Sequence, residues 1–98
     1  MKRVPDFQII TANGPIPDNM IVDRESFYVH MMNFVVAGIY EGPSNEILCR
    51  FIDEDDNVYT SILEHDGYKM SLRRCLTYFE ETEQFERCTV IKKALKNL

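Results

Sequence analysis

The sequence predicts a small α+β domain: three or four antiparallel strands forming a sheet or small open barrel, followed by a C-terminal two-helix hairpin. Three observations predict it. Two runs rich in strand formers, "EILCRFI" (46–52) and "VYTSILE" (58–64), flank the polar residues 53–57 and read together as a β-hairpin. From Ser71 onward the apolar residues change to helical spacing, with Leu72, Cys75, Leu76 and Phe79 at i, i+3, i+4 and i+7. Finally, 98 residues, 45% of them hydrophobic, suffice for one core and not for two.

Taken in order, the run Phe7-Gln8-Ile9-Ile10-Thr11 reads as a strand. Residues 12–19, with Asn13-Gly14 and two prolines, read as a turn and an extended connection. Asp23 is placed to cap a short helix over residues 24–33, which sets Phe27, Met31 and Phe34 on one face. Residues 34–41, "FVVAGIYE", are rich in β-branched and aromatic types and end at Gly42-Pro43, the pattern of a further strand. Beyond the β-hairpin, Ser71 is the expected N-cap of the first C-terminal helix and Thr82 that of the second. The second helix carries the stripe Phe85, Cys88, Ile91, Leu95 and Leu98, and its last turns hold Lys92, Lys93 and Lys96, which complement the helix dipole. Residues 1–68 are therefore expected to be mainly β with one short helix, and 69–98 a helical hairpin, within a single domain.

Charge is unevenly spread. Residues 46–66 hold seven acids against Arg50 alone, while residues 69–98 hold seven bases against four acids, within a net charge of −5. An acidic balance weighs against general nucleic-acid binding, whose affinity comes largely from Lys and Arg neutralising phosphates. The compact basic patch outside the C-terminal lysines is Lys69, Arg73 and Arg74, and it carries the alternative reading of a nucleic-acid-binding module. No apolar run reaches the about 18 residues that span a bilayer, and "MKRVPDF" lacks the apolar stretch of a signal peptide, so the expected location is cytoplasmic. Cys49, Cys75 and Cys88 are odd in number, without a CxxC pair and set among apolar neighbours; they read as reduced core residues.

The acidic run also matches a metal-binding spacing. With Asp53 as the first ligand, Asp55, Asn57, the Tyr59 carbonyl, Ser61 and Glu64 stand third, fifth, seventh, ninth and twelfth, the order of an EF-hand loop. Against it, the sixth place, which needs glycine for a left-handed backbone, holds β-branched Val58, and the incoming segment lacks a helical pattern. The calcium loop over residues 53–64 is thus a third reading, and a solvated hairpin tip is the expectation. His30 lies in an apolar run and reads as a packed side chain; His65, between Glu64 and Asp66, reads as part of a solvated turn. Neither has the spacing of a metal site, and no phosphate-binding loop, nucleophile elbow or dinucleotide fingerprint is present. No metal, cofactor or catalytic activity is expected.

"FERCTVIKKALKNL" (85–98) resembles the second half of the UVR motif, a short helical hairpin of excision-repair subunits and chaperone-associated adaptors. The resemblance lies in Phe85-Glu86, the small Cys88, Ile91-Lys92, and the spaced Leu95 and Leu98. Two positions depart from the pattern: Lys93 stands where the motif has aspartate, and Phe79 where it has alanine. The resemblance implies protein–protein contact through residues 72–98. The expected function is therefore a non-enzymatic protein-binding adaptor or inhibitor. Small acidic chains without catalytic motifs include phage-encoded inhibitors of host enzymes, in which carboxylates stand in for phosphates. The candidate contact residues are Asp53, Glu54, Asp55 and Asp56 on the tip, and Arg73, Arg74, Phe79, Phe85, Glu86, Ile91 and Leu95 on the hairpin. The expected partner is another protein, with homodimerisation through the hairpin stripe an open alternative.

Overall fold

The Asp23 carboxylate accepts the backbone N–H of Ser26 at 3.1 Å and its hydroxyl at 2.7 Å, satisfying first-turn donors and starting helix α1, Arg24–Glu41. The fold is described from a computed structural model over residues 4–10, 20–42 and 47–98. Residues 34–41 do not form the strand that their Val and Ile content predicts. Phe27, Met31, Val35 and Gly38 are buried at helical spacing, and the helix continues to Gly42, whose φ of 88° ends it. The largest element of the supposed β half is thus a helix of 18 residues.

Among the described residues, three strands complete that half: β1 (Asp6–Gln8), β2 (Ile47–Ile52) and β3 (Val58–Ile62), in the order β1-β2-β3. β2 and β3 form the expected antiparallel hairpin, but β1 runs parallel to β2, pairing Asp6, Phe7 and Gln8 with Arg50, Phe51 and Ile52. The sheet is therefore mixed and not wholly antiparallel. Its reason is α1: a helix between two neighbouring strands allows the chain to return in the same direction. Beyond β1, Ile9 bridges Ile21. The expected turn within residues 12–19 lies outside the described residues.

A three-residue turn of 3₁₀ helix, His65–Gly67, leads from the sheet into α2 (Tyr68–Glu81), which is followed by α3 (Phe85–Leu95). These form the expected C-terminal hairpin, with different caps. α2 begins three residues before Ser71, which lies buried inside the helix, because Tyr68 is itself a core residue anchoring the first turn. Thr82 closes α2 and does not open α3, whose N-cap is Gln84. Between them Glu83 takes a left-handed φ of 58°; the Gln84 N–H reaches the Phe79 carbonyl at 2.8 Å and the Glu83 N–H the Glu80 carbonyl at 3.2 Å, the pattern of a Schellman cap. Glycine usually holds that position. Glu83→Gly is accordingly expected to raise stability by about 1 kcal/mol in urea denaturation, by relieving the left-handed penalty.

α1 lies between sheet and hairpin. On the sheet side Phe27 meets Phe7 edge-on at 5.5 Å and Phe51 at 5.6 Å, and His30 Nε2 donates to the Leu48 carbonyl at 2.7 Å, where a bulge interrupts the β2 ladder. On the hairpin side Tyr28 stacks on Tyr78 at 4.4 Å and its carbonyl accepts the Cys75 thiol. Gly38 allows the buried Tyr68 ring against the helix: a Cβ there would overlap the Tyr68 hydroxyl and stand 2.8 Å from two ring carbons. Alanine gains about 1 kcal/mol of helix propensity over glycine, whereas overpacking a core costs about 1–3 kcal/mol. Gly38→Ala is therefore expected to lower the urea midpoint, the opposite of the effect at an exposed helical glycine.

Candidate functional site

The β2–β3 turn is organised by one carboxylate. Asp53 ends β2, its N–H donating to the Asn57 carbonyl at 3.1 Å and its own carbonyl accepting the Asp56 N–H at 3.1 Å. Asp56 then adopts a left-handed φ of 62°, so the loop is a tight turn followed by a left-handed residue, a common three-residue hairpin connection. The side chain of Asp53 folds back over this loop. Its Oδ1 accepts the backbone N–H groups of Asp55 and Asn57, each at 2.9 Å, and its Oδ2 accepts Asn57 Nδ2 and the Tyr59 hydroxyl, each at 3.1 Å. Asp53 is only 2% exposed. Burial pushes its carboxyl upward, but the bonds from Asn57, Asp55 and Tyr59 together outweigh it and hold the group below the usual carboxylate range. Tyr59 responds in the opposite sense, raised by its bond to Asp53, by burial and by the charges of Asp53 and Asp55.

One sequence expectation changes here: Asp53 is not a contact residue, because both oxygens are engaged inside the turn. The expected hairpin is formed, with strands before and after the loop where an EF-hand frame has helices. Among the described residues, no group of three or more His, Cys, Asp or Glu side chains is placed to hold a metal ion. Glu54, Asp55 and Asp56, by contrast, are all exposed, and none enters an ion pair with a described residue. Three exposed carboxylates thus stand on a turn whose backbone is held by a fourth.

The hairpin candidates divide. Phe79 and Ile91 are fully buried against the rest of the core and Leu95 is half-buried, so the stripe is covered mainly within the chain. Phe79 and Ile91 are therefore core residues in place of contact residues: α1 covers the face that the pattern alone leaves unassigned. Phe85, at the start of α3, is 64% exposed, and Glu86 beside it is exposed. They border a shallow groove of about 670 Å³ formed with Glu83, Gln84, Arg87 and Val90. Arg73 and Arg74 are exposed on α2, with Lys69 one turn before Arg73. β3 runs from the tip toward α2, so hairpin and tip begin at opposite ends of a five-residue strand, about 16 Å apart.

A polar cluster without a sequence signal fixes the hairpin turn. The Glu25 carboxylate accepts the Tyr78 hydroxyl at 2.9 Å and Gln84 Nε2 at 2.8 Å, and Arg87 donates to Gln84 Oε1 at 2.6 Å. Glu25 stands more than fifty residues from Tyr78 and Gln84, beyond the reach of any spacing rule; only the Arg87–Gln84 bond is local. The Asp53 arrangement did have a local signal, an aspartate two and four residues before the amides it accepts, which is the habit of an Asx turn. The remaining titratable groups suggest packing. His30 is held by Leu48; the three cysteines are buried and form no disulfide, and burial, with the nearby Asp6 charge, pushes Cys49 up to about 12. No helix among the described residues is long and apolar enough to cross a membrane. Comparison with protein-family models, curated proteins and solved structures found no match.

Proposed function

We propose that the chain is a non-enzymatic protein-binding domain, an adaptor or inhibitor, that engages a basic surface of its partner through the acidic hairpin tip. The observation that carries this reading is the Asp53 carboxylate, buried and accepting four hydrogen bonds within its own turn. It holds the backbone that carries Glu54, Asp55 and Asp56 before any partner arrives, so little backbone ordering entropy is lost on binding, and clustered like charge raises the encounter rate with a basic surface. In one form of this role the tip occupies an enzyme's phosphate-binding site, as a phage-encoded inhibitor of a host enzyme would. Phe85 and Glu86, two exposed and adjacent members of the UVR-like run, supply a second and separate contact surface. Buried cysteines outside any disulfide suit a reducing compartment, and we place the action in the cytoplasm.

The test compares the wild type with Glu54→Gln/Asp55→Asn/Asp56→Asn, which keeps Asp53, and with Phe85→Ala, each used to capture partners from an extract of the source cell. A defined protein retained by the wild type and by Phe85→Ala, and lost by the tip variant, is the expected result. Retention of the same set by the tip variant, or loss of capture on nuclease treatment, contradicts it.

A further inference from the structure

β3 is an edge strand, bonded to β2 on one side and to no described residue on the other. The bond from the Asp53 N–H to the Asn57 carbonyl sets the alternation of the ladder. Asn57, Tyr59 and Ser61 turn their backbone groups to β2, while Val58, Thr60 and Ile62 turn theirs to the open side. The same three residues carry exposed side chains, Val58 at 52% and Ile62 at 62%, on the sheet face away from α1. β3 contains no proline, glycine or charged residue, the usual devices that keep an edge from pairing. Its ends are different: residues 53–66 include six acids and no Lys or Arg, with Asp55 and Asp56 exposed before the strand and Glu64 and Asp66 exposed after it.

That charge pattern selects the occupant. A second copy pairing antiparallel about Thr60 would set Val58 of each copy opposite Ile62 of the other, a good apolar match, but would also set Asp56 opposite Glu64 at both ends. Like charges directly opposite are destabilising. A strand with bases at its ends meets no such conflict. We infer that the open edge of β3 takes an extended segment of a partner protein as an added strand, β-branched at its centre and carrying Lys or Arg at both ends. Backbone bonds to Val58, Thr60 and Ile62 supply affinity, and the flanking carboxylates supply selectivity and direction. This rests on the reading of the acidic tip as a protein-binding surface, and extends it along the strand.

The full chain, panned against a random twelve-residue peptide library, is expected to enrich alternating Val, Ile and Thr cores with Lys or Arg on both sides. The tightest peptide is then titrated by fluorescence anisotropy. Thr60→Pro removes an N–H facing the open edge, in a strand position where proline is tolerated, and is expected to weaken binding by about tenfold or more. The same peptide N-methylated at alternate amides is expected to lose binding to the wild type, a result independent of how Thr60→Pro folds. Enrichment without basic flanks overturns the inference, as does affinity indifferent to both Thr60→Pro and N-methylation. So does a concentration-dependent dimer abolished by Thr60→Pro, which would seat a second copy on the edge. Peptides that bind Thr60→Pro undiminished but not the Glu54→Gln/Asp55→Asn/Asp56→Asn variant remove the edge and leave the tip; peptides indifferent to both remove both.

Discussion

Phe79→Ala is expected to destabilise the domain by about 3–5 kcal/mol in urea denaturation, whereas Phe85→Ala shifts it by no more than about 0.5 kcal/mol. The two residues belong to consecutive helices and look alike in a hydrophobic pattern. Their surroundings differ completely. Phe79 is fully buried, edge-on to Tyr78 with the Arg87 guanidinium 5.6 Å from its ring, and its carbonyl receives the Gln84 N–H that closes α2. Removing the ring leaves a cavity at the joint between both hairpin helices, in a domain whose whole stability is of the order of 5–15 kcal/mol. Phe85 faces water at the hairpin turn. Equal effects at the two positions would mean that the hairpin packs by another face.

The second large effect is at Asp53. Asp53→Ala removes the acceptor of four hydrogen bonds and leaves the Asp55 and Asn57 amides without their partner. A fall in Tm on the order of 10 °C is expected at neutral pH. Asp53→Asn falls between, since an amide oxygen still accepts two backbone N–H groups but its NH₂ faces the donors Asn57 Nδ2 and Tyr59. The pH dependence has a definite sign. The folded carboxyl lies below the ordinary value of 3.8, so its contribution is fully present above that value and is lost as pH falls through it toward the folded pKa. The Tm gap between wild type and Asp53→Asn is therefore constant near neutrality and closes below about pH 4. Asp23, lowered by its bonds to Ser26, titrates in the same window in both proteins and cancels in the comparison. A gap that persisted at pH 2 would assign the effect to shape and not to charge.

The parts of the fold readable from the sequence are those whose causes are local or one-sided. The β-hairpin is specified by turn residues between two strand-forming runs, and the C-terminal helices each bury one stripe. α1 was hidden because it buries one broad face that meets two layers, Phe27 on the sheet and Tyr28, about 100° round the helix, on the hairpin. A helix with so wide an apolar face has no narrow stripe, and its Val and Ile then mimic a strand. That one substitution of helix for strand also reverses β1, because a helical crossover brings the chain back parallel. The tip was legible as an acidic loop, but not the division of labour within it, in which Asp53 turns inward and its three neighbours outward. For Phe79 and Ile91 the pattern shows that a face is buried; only the packing shows that α1, and not a partner, buries it.

The most direct test of the locked tip is an acid titration of the backbone amides followed by NMR. The Asp55 and Asn57 N–H resonances are expected to shift together with a midpoint below 3.8, and to exchange slowly with solvent until that midpoint is passed. Midpoints at the ordinary carboxylate value, with rapid exchange at neutral pH, would show a turn that Asp53 does not hold and would remove the basis for a preformed acidic surface.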